Sequence, residues 1–230
     1  MKKVISLLLV AALLTAALAV TGLLSGCAGI NDPKGADLIL DARKAYAELD
    51  SAKVIMTNTE TGEVDQEFTF KYDEKDVCVF SYYGKNGDDV YAQFNNGVED
   101  MKYENGKYTH TVRGEKSFNQ YTRNAKHPQA DEGLLVYTPT AVKKAEKTEQ
   151  DGEIRVKYEY DLKKLGADIE GIKATGFETE YCFEKDGDLK WFTETTFSKD
   201  KTYCYKIEIT ERNSVDKVEN TVKEHNLDKD

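Results

Sequence analysis

The sequence predicts an α+β domain built on one large antiparallel β-sheet, with helices laid over the sheet's apolar face. Three observations predict it. From Leu38 to Leu49 apolar residues recur at intervals of 4, 3 and 4, whereas from Ser51 onward they recur at every second position, the period of a strand. Turn-forming pairs punctuate the alternating runs, at Thr61-Gly62, Asn86-Gly87, Asn96-Gly97, Asn105-Gly106, Asp151-Gly152 and Asp186-Gly187, and hairpins this tight make antiparallel neighbours. The runs also share one apolar phase, opposite a phase rich in Asp, Glu, Lys and Thr, as in a sheet with one face buried.

The elements follow in chain order. Asp32-Pro33 reads as an N-cap and first-turn proline, and Leu38, Ala42, Ala45 and Leu49 form one apolar stripe of an N-terminal helix. Val64 to Tyr72 then places Val64, Phe68, Phe70 and Tyr72 on one face and Asp65, Glu67, Thr69 and Lys71 on the other. Ile154, Val156, Tyr158 and Tyr160 repeat that pattern, and Phe177, Tyr181, Phe183, Leu189, Trp191, Phe197, Tyr203, Tyr205, Ile207 and Ile209 share the apolar phase. The total is about nine or ten strands.

A face of Phe, Tyr, Ile and Trp needs a cover, since burying each large side chain is worth roughly 1.5 to 3 kcal/mol. The covers expected are the N-terminal helix and a second segment, Leu134-Leu135-Val136-Tyr137, running through Thr138-Pro139 into a short helix that ends near Ala145. A one-turn helix at Asp161 to Leu165 adds to them. Arg113 to Gly133 lacks periodicity and reads as a long loop. From Ser214 the charged tail has Val215, Val218 and Val222 at helical spacing and is expected to be a frayed helix or disordered.

Charge narrows the function classes. The chain of 230 residues carries 32 Lys and Arg against 42 Asp and Glu, a net −10, so it lacks the basic face that phosphate neutralisation on nucleic acid needs. The mean hydropathy of −0.63 averages two unlike regions. Residues 4–24 carry no charge and follow Lys2 and Lys3, the arrangement of a secretory signal. The run closes in Leu24-Ser25-Gly26-Cys27, which resembles the lipobox of bacterial lipoproteins. That resemblance implies cleavage before Cys27 and lipidation of its sulfur. The alternative, an uncleaved spanning helix of roughly 20 residues, leaves Cys27 incidental.

The organisation expected is therefore a signal peptide at 1–26, the lipidated cysteine and a short tether at 27–32, a domain at 33–213 and the tail at 214–230. Losing the two leader lysines leaves 30 − 42 = −12. An anionic membrane surface repels such a domain, so covalent lipid must hold it at the extracytoplasmic face. With only Ala28 to Asn31 before the helix cap, the tether reaches roughly 17 Å.

Chemistry-bearing clusters are sparse. Once Cys27 is modified, Cys78, Cys182 and Cys204 remain. In a meander another strand separates Cys182 from Cys204, and a gap of about 9.6 Å exceeds the reach of a disulfide, so free thiols are expected. His110, His127 and His225 show no ligand spacing, and no nucleophile elbow or phosphate-cradling loop occurs. No metal, no cofactor and no catalysis are expected.

The order of elements, read in Asp41 to Lys53 (helix into first strand) and in Leu134 to Val156, resembles the superfamily of the lipoprotein carrier LolA and the mycobacterial LppX-type lipoproteins. The likeness spans Pro33 to Arg212. It implies a half-open barrel, a single curved sheet whose concave face is covered by the N-terminal helix and a short plug helix and holds acyl chains. No arginine here matches the one that LolA uses in cargo release, so cargo exchange is not implied. The function expected is non-catalytic binding of an acyl lipid or other hydrophobic or amphipathic ligand. Its lining would be Phe68, Phe70, Tyr72, Leu134, Leu135, Ile154, Val156, Tyr158, Phe177, Tyr181, Phe183, Trp191, Tyr205 and Ile207. The alternative is a regulatory lipoprotein, of signalling or germination type, that meets an envelope protein partner and has no small ligand. Phe118, Tyr121, Arg123 and His127 in the long loop would then be its interface anchors.

Overall fold

Alternation and turn chemistry produce eleven strands in the computed structural model, which describes residues 32–123, 137–165 and 174–228. They are β1 (Ser51–Asn58), β2 (Val64–Tyr72), β3 (Cys78–Asn86), β4 (Asp89–Asn95), β5 (Glu99–Glu104), β6 (Lys107–Val112), β7 (Val142–Gln150), β8 (Glu153–Tyr160), β9 (Ala174–Glu184), β10 (Leu189–Ser198) and β11 (Thr202–Thr210). Asn105-Gly106 and Asp151-Gly152 turn with both residues at positive φ, the mirror-image turn that matches strand twist. Cys27, Leu134, Leu135 and His127 lie outside the described residues.

All eleven strands form one antiparallel sheet in the order β6-β5-β4-β3-β2-β1-β11-β10-β9-β8-β7. The chain enters at the middle, meanders out to β6, resumes at the opposite edge with β7 and meanders back until β11 pairs with β1. That seam runs from Lys53 opposite Thr210 to Asn58 opposite Tyr205. The edges β6 and β7 do not pair, so the curved sheet stays open as a half-barrel.

Helix α1 (Ala36–Ala47) covers part of the concave face, but its start and its buried stripe differ from expectation. The cap position is Gly35 at φ 79°, with no side-chain cap, rather than Asp32. A Cβ there would stand 2.5 Å from Val156 Cγ2, so the close approach of helix and β8 demands glycine. Ala36, Ile39 and Tyr46 are the buried residues of α1, whereas Leu38, Ala42 and Leu49 flank the core. After Pro139 the expected short helix is a single 3-10 turn, Pro139–Ala141, and strand β7 already begins at Val142. Helix α2 (Leu162–Leu165) is the one-turn helix expected there.

Two further corrections concern the faces of the sheet. The register shifts between Leu189 and Trp191, a bulge that inverts the rest of β10. Phe192, 1% exposed, faces the core, while Trp191 lies on the convex face with the Arg155 and Lys206 cations 5.4 and 5.7 Å from its ring. Phe197 shares the convex phase and packs over Gly176, whose missing Cβ leaves room for it. At β4 and β5 the apolar side of the sheet also changes. Ala92, Phe94 and Met101 face outward, and the concave positions Gln93, Asn95 and Asp100 are polar and buried.

The tail covers that outward apolar patch. Val215, Val218 and Val222 are buried against Ala92, Phe94 and Met101, so residues 214–228 belong to the domain. Lys71 Nζ donates to the carbonyls of Val215 and Asp216 at 2.9 Å each. The Ser81 and Thr221 hydroxyls meet at 2.8 Å. Helix α3 (Thr221–Glu224) is capped by the Asn220 side chain, and His225 stacks on Tyr83 at 3.9 Å. Cys78, Cys182 and Cys204 are free thiols, and β10 separates the last two, as the meander requires.

Shortening the fully buried Val222 to alanine removes two methylene equivalents and leaves a cavity, so Val222→Ala is expected to cost about 2 kcal/mol in denaturant unfolding. Lys223→Ala, one exposed position along, is expected to leave the midpoint unchanged; equal stability of the two variants would mean that the tail does not contribute to the core.

Candidate functional site

Seven adjacent strands, β3, β2, β1, β11, β10, β9 and β8, direct apolar side chains into the concavity. Phe68, Phe70 and Tyr72 stand on β2; Ile154, Val156 and Tyr158 on β8; Phe177, Tyr181 and Phe183 on β9; Tyr205 and Ile207 on β11. The sheet brings these sequence-selected residues together and excludes Trp191. They pack largely on one another. Phe68 stacks on Phe70 at 5.7 Å, Phe70 meets Tyr46 of α1 edge-on at 6.0 Å, and Tyr181 stacks on Phe192 at 5.7 Å. Phe80, Tyr82 and Phe192 join the face without having been singled out in the sequence.

One polar row crosses this surface. Asn58 pairs with Tyr205, Tyr205 with Glu194, Glu194 with Thr179, and Thr179 with Tyr158, which sets these residues side by side on β1, β11, β10, β9 and β8. Thr179 is buried, and its hydroxyl lies 3.3 Å from that of Tyr160. Glu194 is half-buried as a residue, yet its Oε1 is closed to solvent and has no hydrogen-bond partner among the described residues. Burial alone pushes its carboxyl up to about 7. The same cause pushes the phenols of Tyr160 and Tyr205 up to about 12. Next to Glu194, Thr196 and Tyr203 pair across β10 and β11 and are half-buried like Glu194 itself, with Tyr203 packed against the core.

On the convex side the same strands carry a ladder of ion pairs. Arg155 reaches Glu153 and Glu180 at 3.1 and 3.2 Å, Lys157 reaches Glu178 at 2.7 Å, and Lys190 reaches Glu153 at 2.9 Å. Hydrogen bonds from Lys190 and Arg155 hold the Glu153 carboxyl down to about 2. Among the described residues no group of three or more His, Cys, Asp and Glu could hold a metal ion.

The helix stripe read from the sequence has a different place from the one expected. Leu38, Ala42, Ala45 and Leu49 line a cleft of about 250 Å³ between α1 and the β9–β10 turn, floored by Leu189 and Ile209 and rimmed by Asp41, Asp186 and Asp188. Arg212 braces its floor, with Nε donating to the Ile209 carbonyl at 3.2 Å and Nη2 to that of Leu189.

The long loop is tied to the domain as far as Arg123. The Tyr121 ring meets Phe80 edge-on at 5.2 Å. Arg123 pairs with Asp50 at 2.5 Å, donates to the Leu49 carbonyl at 3.2 Å and lies 4.1 Å over the Tyr72 ring. These two side chains close the end of the concavity near Leu49 and are committed to intramolecular contacts.

Glu194 is expected to make stability fall with rising pH. Its carboxyl titrates higher in the folded chain than the ordinary 4.5, so the folded state favours the protonated form. The stability this gives is present below pH 4.5 and is lost as pH rises through about 7, by roughly 3 kcal/mol at most. Thermal unfolding of the wild type and of Glu194→Gln between pH 4 and pH 8 checks this: the variant should lack that decline, and parallel curves would show that the carboxyl is solvated.

No family model and no curated protein matches the chain. Among solved structures the chain is similar to the crystal structure of LprF from Mycobacterium bovis, with a TM-score of 0.46 and 12% identity over 82% of this chain and 98% of that one.

Proposed function

We propose that the protein is a lipid-anchored, extracytoplasmic lipoprotein that binds an acyl lipid or other hydrophobic or amphipathic ligand against its concave face, without catalysis. The observation that carries this reading is the concave face itself. Apolar side chains from seven adjacent strands point into one concavity of a sheet whose edges do not meet. Folding buries such a surface against whatever is available, and an open half-barrel leaves room for that to be a ligand as well as a helix. The polar row at Glu194 suits the head of an amphipathic molecule better than bare hydrocarbon.

Anchoring rests on Leu24-Ser25-Gly26-Cys27 behind an uncharged leader, and on an acidity that leaves charge unable to hold the domain at an anionic surface. The two anchors described in the long loop, Tyr121 and Arg123, are bound within the domain and do not favour a protein partner there.

The test is lipid retention. The full chain, extracted in detergent and moved into an amphipathic polymer, is to be compared by solvent extraction and mass spectrometry with Phe192→Lys, which sets a cation on the concave wall. A class of lipid retained by the wild type and depleted about tenfold or more in the variant is expected, since charge burial outweighs the loss of one aromatic contact. Equal lipid in both samples would sink the reading.

A further inference from the structure

We propose that Glu194 is the anchor of the concave site and that the molecule it receives is an amphipathic amine, an apolar chain ending in an ammonium group. This deepens the reading of the concave face as a ligand site and rests on it.

An acid in an apolar face is normally satisfied by a basic side chain or by backbone N–H groups, and among the described residues Glu194 Oε1 has neither. The basic side chains on its neighbouring strands cannot serve, because strand alternation sends them through to the convex face. On β8, β10, β11 and β1 the basic residues Arg155, Lys157, Lys190, Lys206 and Lys53 are engaged by Glu180, Glu178, Glu153, Glu208 and Glu67 there. Strand β9 has no Lys or Arg. The missing cation must therefore come from outside the sheet.

The surroundings fit an ammonium in particular. It brings three donors, one for the carboxylate and two for neutral oxygens such as those of Thr179 and the phenols of the row. The Tyr205 phenol of the row and the Tyr160 phenol against Thr179 stay uncharged far above neutrality, so Glu194 is the acid within the row, while Asp65 stands at its β1 end, hydrogen-bonded to Asn58 and near enough to help raise the Tyr205 phenol. One step along the strands, Phe192, Tyr181 and Ile207 form a buried apolar wall in register with one another, where an alkyl chain would lie. On the opposite side of the row, Thr196 and Tyr203 are half-buried rather than closed off, and this is the side from which the head would enter. A carboxylate-headed molecule would set like charges together in a medium that screens them poorly, so fatty acids are disfavoured.

Calorimetric titration of the full chain in an amphipathic polymer tests this with octylamine, octanol and octanoate at pH 8. Octylamine should bind the wild type about tenfold or more tighter than octanol, as a charge-assisted contact implies, and octanoate should bind weakest. Glu194→Gln should bind octylamine and octanol alike, while Glu178→Gln, altered on the convex face, should keep the preference. If octanol binds and octylamine binds the wild type and Glu194→Gln equally, the anchor is overturned and the concave site stands. If none of the three gives heat beyond that of the protein-free polymer, the concave site falls with it.

Discussion

The pairing of β11 with β1 is the contact on which the rest of the molecule depends. Each meander is locally encoded, strand after strand through short turns, but a meander alone has two free edges and no concavity. The seam joins residues about 150 positions apart, such as Lys53 with Thr210 and Asn58 with Tyr205, and makes two sheets into one. It continues past the strand end. Asn213 N–H donates to the Ser51 carbonyl at 2.8 Å and the Asn213 side chain accepts from Asp50 N–H at 2.7 Å, with Asn213 itself at a φ of 54°. Asparagine tolerates that left-handed backbone better than most residues. The latch sets where the chain leaves the seam, and so directs Val215, Val218 and Val222 onto the convex side of β3 to β5. Closing so long a loop costs entropy before it is rewarded, so the seam is also where folding should be slowest.

What the sequence shows about this fold, and what it hides, follows from which forces are local. Period 2 and the Asn-Gly and Asp-Gly turns mark β2, β8, β9 and β11 because alternation and positive φ act within a few residues. The helix start is hidden because Gly35 is selected by a tertiary clash with Val156, while Asp32-Pro33 offers a plausible cap that the chain does not use. The strand at Val142–Gln150 is hidden because an edge strand exposed on both sides loses its alternation: Lys143, Lys144, Glu146, Lys147 and Glu149 read as a polar helix or loop. Those charges have a use at an unpaired edge, where they discourage a further strand from adding on.

The concave face is legible in the sequence in bulk and illegible at Glu194. A strict alternation through Leu189, Trp191 and Phe197 places Glu194 outward, among the acids of the ion-pair ladder. One extra residue between Leu189 and Trp191 reverses that, turning Trp191 out and Phe192 and Glu194 in. The hint available was the adjacency of Trp191 and Phe192, two large aromatics that cannot both face the same side of a pleated strand. A bulge costs a ladder hydrogen bond and local pairing, and one that also buries a carboxyl without a partner adds desolvation to that cost.

That cost is the reason to connect Glu194 with function rather than with packing. A leucine or threonine at this position would satisfy the concave wall with no titrating group, and the convex face could carry the acid as it carries Glu178 and Glu180. The fold instead places the acid where burial raises it to about 7 and where the neighbouring hydroxyls of Thr179 and Tyr160 face each other across 3.3 Å. Polar groups held unsatisfied in an otherwise complementary surface are destabilising unless a bound molecule completes them. Here the surroundings are apolar and fully buried on one side of the row and half-buried on the other. In the proposed complex the apolar wall would supply affinity without direction, and the carboxyl would supply the direction.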